Sequence, residues 1–194
     1  FGYAKIGTVD SAAFLNINGT LEYPIAFRAL KPGRCRITYP SVSRMMRIWQ
    51  CSHILFHGIE SGAGSLDVVG PEEATGTGLP TVLWGTVLGQ AFGSESSATD
   101  WEGNVCSPIS HNLTFEGCKI GPVGQALFVI ASDSYNIALK YCEIHGSGYR
   151  WGKKHNAEGI YIGSGADASQ VSSAHVCHDV YIKGCNFNDI GRGQ

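Results

Sequence analysis

HNLTFEGCKI at residues 111–120, YNIALKYCEI at residues 135–144 and HDVYIKGCNF at residues 178–187 are three copies of one pattern. A fainter copy, HILFHGIE, lies upstream at residues 53–60. Each copy alternates apolar and polar residues, which is typical of a strand with one buried face. The predicted buried columns are Ile54/Leu113/Ile137/Val180, Phe56/Phe115/Leu139/Ile182 and Ile59/Cys118/Cys142/Cys185. The predicted outward column is polar and consists of His57, Glu116, Lys140 and Lys183.

The spacing of the copies indicates stacked coils. The second and third copies start 24 residues apart (135 minus 111), which is about one turn of a parallel solenoid whose strands stack at roughly 4.8 Å. The other gaps would then be one or two coils that carry large insertions. Four residues recur just before the strands, and we predict that they form a column of stacked turns because Asn and Asp tolerate the left-handed conformation. They are His53, Asn112, Asn136 and Asp179. The alternative is an antiparallel sandwich.

These repeats resemble the right-handed parallel β-helix of the pectate-lyase-like superfamily. The resemblance also rests on EGIYIGS at residues 158–164 and on the entry segment YPIAFRALKPG at residues 23–33. It implies an all-β fold, a right-handed parallel β-helix (solenoid) with two long loop insertions on one edge. The superfamily includes lyases, hydrolases, epimerases, phage tailspikes and non-catalytic surface proteins, so the resemblance does not identify a function by itself.

Two segments interrupt the repeats. Residues 62–108 are predicted to be a folded insertion or one irregular coil, and residues 145–157 to be a basic aromatic loop. Both follow the same strand of the repeat, so we expect them to project from one edge and to wall a cleft. Residues 1–194 are expected to form a single domain that continues in a longer chain, because a solenoid needs a cap over its last open edge.

Composition narrows the range of partners and compartments. The net charge of -2 gives no general attraction to nucleic acid. The sequence contains no run of 18 apolar residues, so it does not predict a membrane span. Sequons at Asn18 and Asn112 fit a secreted, extracellular glycoprotein. Three of the seven cysteines fall in a buried column, where a small apolar side chain packs well. The other four could form disulfides by any of three pairings. They are Cys35, Cys51, Cys106 and Cys177.

The loop YRWGKKH at residues 149–155 is the sharpest candidate for chemistry. Acidic polysaccharides present carboxylates to Arg and Lys and apolar sugar faces to aromatic rings. In a lyase of the resembled superfamily, a Lys or Arg removes the C5 proton of a uronate while a cation neutralises its carboxylate. The candidate catalytic residues are Lys153, Lys154, Arg150 and His155, and the candidate sugar-binding residues are Trp151 and Tyr149. The cofactor is either calcium, with Glu158 as its candidate ligand, or none, because the sequence places no cluster of carboxylates on one strand. A solvated loop without a specific role is the alternative.

Three aromatic residues on other strands are further candidate sugar contacts. Trp49, Phe128 and Tyr161 would form an outward row if their strands stack in register. Such a row would bind sugar, or residues 62–108 would cover it as a satellite core. His53, His111 and His178 are interpreted as turn residues rather than as ligands.

The sequence therefore predicts an extracellular protein that binds an acidic polysaccharide and cleaves it by lyase-type elimination. A glycoside hydrolase would need a pair of carboxylates that flank the scissile bond, and the sequence places no such pair. The alternative from another class is a non-catalytic structural or adhesive protein. Its copies would assemble end to end or would only bind sugars.

Overall fold

The structure is a computed structural model of the 194-residue chain. It describes twelve ranges, which are residues 3–6, 9–31, 35–37, 44–61, 84–88, 98–99, 102–107, 109–123, 126–131, 133–147, 158–163 and 176–191. Within these ranges the regular secondary structure consists of β-strands, without a helix. The fold is therefore all-β, as the sequence predicts.

The strands in chain order are β1 (Tyr3–Ile6), β2 (Val9–Leu15), β3 (Ile25–Arg28), β4 (Arg36–Ile37), β5 (Arg44–Trp49), β6 (Ser52–His57), β7 (Glu60–Ser61), β8 (Trp84–Leu88), β9 (Ala98–Thr99), β10 (Val105–Cys106), β11 (His111–Glu116), β12 (Lys119–Ile120), β13 (Phe128–Ile130), β14 (Tyr135–Lys140), β15 (Glu143–His145), β16 (Ile160–Ile162), β17 (His178–Lys183) and β18 (Asn186–Asn188).

Three sheets are built mainly from parallel strands. Sheet A has the order β1-β2-β5-β8-β13-β16, sheet B the order β3-β6-β11-β14-β17, and sheet C the order β4-β7-β12-β15-β18. From β2 onward the chain enters sheets A, B and C in turn, and each such set of three strands is called a circuit below. Every strand pairs in parallel with the equivalent strand of the neighbouring circuit. The exceptions are β1, which pairs antiparallel with β2, and the short β9–β10 pair, which is also antiparallel.

The strand register confirms the columns predicted from the repeats. Leu113 lies opposite Ile54 and Ile137, and Ile137 lies opposite Val180. Phe115 likewise lies between Phe56 and Leu139. The outward column is extended by one residue, since Arg28 lies opposite His57. One residue of register error would have moved each apolar column to the opposite face, so the alternation itself specified the pairing.

The gaps between the repeats each correspond to a single circuit. β11 pairs directly with β6, and β17 pairs directly with β14. The 62–108 segment is not wholly an insertion, because it contains β8, which pairs with β5 on one side and β13 on the other. Of the two interpretations left open for this segment, the irregular coil agrees with this pairing.

The interior between the sheets is apolar and layered. Phe27, Phe56 and Phe115 stack along sheet B, with ring centroids 5.5 Å and 4.8 Å apart, and Phe128 of sheet A meets Phe115 edge-on at 4.9 Å. Such aromatic contacts stabilise the core beyond the area that they bury. The core residues of the fifth circuit are more exposed. Ile182 is 43% exposed, whereas Leu139 opposite it is fully buried.

Two corners bracket each strand of sheet B, and both use the left-handed conformation. At the A/B corner, His53, Asn112, Asn136 and Asp179 have φ between 52° and 55°, which confirms the predicted column of turns. At the B/C corner the equivalent positions are Gly58, Gly117, Tyr141 and Gly184, with φ of 67°, 59°, 54° and 61°. Glycine adopts this conformation without steric cost, whereas Tyr141 does not.

Candidate functional site

The outer face of sheet C borders the two long connections. β7 and β15 belong to this sheet, run parallel and are separated by β12. After β7 the chain runs through residues 62–83 before it enters sheet A, and after β15 it runs through residues 146–159. Both connections therefore start at the same edge of sheet C, as the sequence predicts. The candidates Arg150, Lys153, Lys154, His155, Tyr149 and Trp151 lie outside the described residues.

A polar column runs across the outer face of sheet C. Lys119 lies opposite Glu60 on one side and Glu143 on the other, and Glu143 lies opposite Asn186. The Lys119 Nζ atom is 3.0 Å from Glu143 Oε1, and the two side chains are 39% and 42% exposed. Because Glu60 and Glu143 are two strands apart, their backbones are about 10 Å apart along the stack. Within this column, Lys119 therefore forms an ion pair with the Glu143 carboxylate at the outer face of the sheet.

Glu158, the candidate calcium ligand, precedes β16. It is partly buried, and its carbonyl oxygen accepts a hydrogen bond from the Leu127 amide at 3.1 Å. Among the residues that the structure describes, no three His, Cys, Asp or Glu side chains converge in a way that could hold a metal ion. Calcium as a cofactor and the role of Glu158 as its ligand both stay predictions.

The predicted outward aromatic row is wrong. Phe128 shares a column with Ile160, Tyr161 lies opposite Val129, and Trp49 lies opposite Leu15. Phe128 points into the core and Trp49 is 1% exposed, so neither is available to a sugar. The register of sheet A could not be read from sequence because its strands follow connections of unequal length.

Sequence reasoning also missed a buried arginine beside Trp49. The Arg47 side chain is 1% exposed, and its guanidinium carbon lies 5.2 Å from the centroid of the Trp49 ring. A guanidinium over an indole face is a cation–π contact, which strengthens when water is excluded. Arg47 alternates with Ile48 of the core, so the outer face of this part of sheet A is covered rather than solvated.

The A/B corner carries a ladder of side chains that bind one another. The rings of His111, Tyr135 and His178 stack, with centroids 4.8 Å and 5.0 Å apart. Beside them, the Asn136 amide donates to Asn112 Oδ1, and the Asn112 amide donates to His53 Nε2 at 2.8 Å. Burial and the neighbouring His53 lower the pKa of His111. The histidines thus serve the turns, as predicted.

The same ladder bears on the glycosylation sites. Both ends of the Asn112 amide are hydrogen-bonded within the ladder, and glycosylation of Asn112 stays a prediction. Asn18 is exposed, with its amide nitrogen 3.0 Å from Asn16 Oδ1 and its oxygen 2.9 Å from Ser52 Oγ. Asn18 keeps its place as a predicted site.

A column of thiols lines the inside of the B/C corner. Equivalent backbone bonds run from Glu60 N to Cys35 O, from Glu143 N to Cys118 O and from Asn186 N to Cys142 O. Cys35 therefore joins Cys118, Cys142 and Cys185 in one column, in which Ile59 occupies the second circuit. Each of the last three thiols donates to a carbonyl of the preceding circuit, at 3.4 to 3.5 Å. Burial also raises the pKa of Cys185.

The predicted disulfides do not form, since all seven cysteines are thiols. Backbone bonds from His111 N to Cys51 O and from Tyr135 N to Ser110 O place Cys51 and Cys177 in one column at the A/B corner. They are three circuits apart, about 14 Å, whereas a disulfide needs Cα atoms within about 7 Å. Cys35 lies at the other end of sheet B, about 20 Å away. Hence none of the three complete pairings fits.

Only Cys106 is close to Cys51. Burial, together with the neighbouring Cys106, raises the pKa of Cys51 to about 12, so Cys51 is a protonated thiol at neutral pH. Such a thiol is a poor nucleophile.

Comparison with known proteins found no matching family model, no matching curated protein and no matching solved structure. The part of the chain that the structure describes includes no helix long and apolar enough to cross a membrane.

Proposed function

We propose that this chain is a right-handed parallel β-helix of the pectate-lyase-like kind, and that it binds an acidic polysaccharide outside the cell and cleaves it by elimination. The fold proposal is supported by the cyclic entry into sheets A, B and C and by the parallel pairing of each strand with the preceding circuit. The shared core and the stacked left-handed corners agree with it.

One observation carries the functional proposal. The connection that contains the basic aromatic sequence starts at the edge of sheet C, next to the polar column of Glu60, Lys119, Glu143 and Asn186. The other long connection starts at the same edge two strands away. A long extended ligand that crossed this face would therefore meet hydrogen-bonding side chains and the start of a cationic segment.

The chemistry proposed for that segment is β-elimination on a uronate. A neutral amine from Lys153 or Lys154 takes the C5 proton, and the electrons of that bond form the C4–C5 double bond. The C4–O4 bond breaks, and its oxygen leaves as a hydroxyl group after it takes a proton from protonated His155 or from water. Arg150 neutralises the uronate carboxylate, which makes the C5 proton easier to remove, and the rings of Tyr149 and Trp151 pack against the sugar.

The test is ultraviolet absorbance of the unsaturated uronate product. The whole chain is incubated with polygalacturonate, alginate and a glycosaminoglycan, with and without calcium. We expect absorbance to rise on at least one substrate and the rate to fall by at least about 100-fold in Lys153→Ala or Lys154→Ala. Lys31→Gln, an exposed lysine at the opposite end, is the matched control and should retain full rate. Absence of product on every substrate would remove the lyase assignment.

A non-catalytic protein that assembles end to end is the alternative function. At the first circuit, β1 pairs antiparallel with β2, so the edge of sheet A there is already occupied and does not offer itself to a parallel strand of another copy. Light scattering that showed ordered linear polymers would revive this alternative.

A further inference from the structure

Two lysines and two tyrosines share the outside of the B/C corner in the fourth and fifth circuits. Lys140 ends β14 and lies opposite Lys183, which ends β17. Tyr141 follows Lys140 at the corner itself, and Tyr181 lies two residues before Lys183. These four residues are called the lysine–tyrosine patch. All are described by the structure, and none belongs to the basic loop.

The lysines of the patch form no ion pair within the part of the chain that the structure describes. Nearby, Lys119 is 3.0 Å from a Glu143 oxygen. By contrast, no carboxylate within the described ranges forms an ion pair with Lys140 or Lys183, although Glu116 is the next residue in the Lys140 column. Like charges on adjacent strands, about 4.8 Å apart, destabilise a sheet. An anion that bridged the two ammonium groups would relieve this repulsion.

The tyrosines present aromatic surface beside these charges. The Tyr141 ring lies over Gly184, where a Cβ atom would come within 2.7 Å of the ring. It is held there although the residue has φ of 54°, and it is 58% exposed. Tyr181 is 51% exposed and lies opposite Ala138, whose side chain is too small to cover it. Two large aromatic side chains in solvent beside two cations form a surface with both an apolar and an anionic preference.

We infer that the lysine–tyrosine patch is a binding subsite for an anionic polysaccharide, in which the lysines contact carboxylate or sulfate groups and the tyrosines pack against sugar rings. This inference rests on the proposed function and adds a second contact region to it, across the B/C corner from the polar column of sheet C. Charge complementarity selects an anionic ligand, and the aromatic faces select a sugar over other polyanions. A free polypeptide polyanion would satisfy the lysines but not the tyrosines.

The test is affinity measurement with the full chain by isothermal titration calorimetry. The probes are polygalacturonate, dextran sulfate, neutral dextran and polyglutamate. We expect binding to one or both acidic polysaccharides and none to neutral dextran. Lys140→Gln with Lys183→Gln should weaken binding about tenfold or more. Tyr141→Asn and Tyr181→Thr should each weaken binding about fivefold. Asparagine is chosen at position 141 because it tolerates the left-handed conformation. Lys31→Gln, which removes one positive charge elsewhere on the surface, should stay within twofold of the unmodified chain.

The outcomes separate this inference from the proposed function. If the chain binds and cleaves an acidic polysaccharide while the four patch substitutions leave affinity unchanged, the patch is wrong and the proposed function stands. If polyglutamate binds as tightly as the polysaccharides and the tyrosine variants are unaffected, the sugar-binding inference is overturned. If the patch substitutions weaken binding, the patch is supported, and the acidic polysaccharide whose affinity falls most identifies the anionic group that the lysines contact. No binding to any polyanion overturns both proposals.

Discussion

The A/B and B/C corners bracket the same strands and use the same left-handed backbone, yet their side chains are paired differently. At the A/B corner, ring stacks and amide hydrogen bonds join each circuit to the next, and the contacts are between side chains of the ladder itself. At the B/C corner, glycines occupy three of the four equivalent positions, and Lys140 and Lys183 outside them are unpaired within the described structure. A corner whose polar groups satisfy one another stabilises the fold, whereas a corner that leaves them open can bind a ligand.

Asn112 lies at the centre of the A/B ladder and contacts its neighbours on both sides. Asn112→Leu eliminates two hydrogen bonds, leaves polar atoms of His53 and Asn136 without those partners and places a branched side chain at φ of 54°. We expect unfolding free energy to fall by about 3 kcal/mol, measured by urea denaturation. Tyr141→Asn is the matched change at the B/C corner, and we expect it to cost less than about 1 kcal/mol. Equal losses at the two corners would contradict the distinction.

Two glycines of the B/C corner, Gly117 and Gly184, have nearly the same φ but different surroundings. Gly184→Ala would bring a Cβ atom to within 2.7 Å of the Tyr141 ring at φ of 61°, and we expect a loss of about 2 kcal/mol. Gly117→Ala has φ of 59° but meets nothing within 4 Å, so only the backbone cost of about 1 kcal/mol should remain. Thermal unfolding of both variants gives the difference. If the difference between the two losses vanishes in a Tyr141→Asn background, contact with the Tyr141 ring causes it. If the difference persists in that background, the packing of Tyr141 over Gly184 does not cause it.

The smallest expected effect is the pH dependence of the ladder. Because the pKa of His111 is lowered in the folded state, the unfolded chain binds more protons between that pKa and 6.5. Stability should therefore decrease as pH falls through 6.5, and it should level off below the folded pKa. His111→Gln should flatten this part of the stability profile, and thermal unfolding between pH 8 and pH 5 measures it. A profile that keeps the same slope in His111→Gln would assign the titration to another group.

The columns of sheet B were predictable because all the positions of one face repeat within uninterrupted ten-residue lines. Cys35 was missed as a member of the thiol column because the sequence around it does not match the repeat. In addition, Ile59 lies between Cys35 and Cys118 in the column. The aromatic row failed for a different reason. Trp49, Phe128 and Tyr161 lie on strands of sheet A that follow connections of unequal length, so counting residues along the chain could not align them.

For the candidate site, the sequence identified the side chains of the lysine–tyrosine patch only in part. Lys140 and Lys183 were aligned in the outward column, but the ring of Tyr141 over Gly184 was not foreseen. That contact joins residues 43 positions apart (184 minus 141), and it depends on a tyrosine in a conformation that usually favours glycine. Lys119 forms an ion pair with Glu143, whereas Lys140 and Lys183 form none within the described ranges. This difference between the lysines also depends on strand order.

Sequence alone was enough to predict the strand type, the buried and exposed columns of sheet B and the left-handed residues of the A/B corner. These features follow from local alternation and from the intrinsic preferences of Asn, Asp and Gly, which act within a few residues. Tertiary structure decided the register of sheet A, the thiol column that includes Cys35 and the choice of which lysines are neutralised. Those features depend on which circuits are neighbours in the stack. Neighbouring circuits are joined by connections of variable length, so the distance between two residues along the chain does not show whether they are adjacent in space.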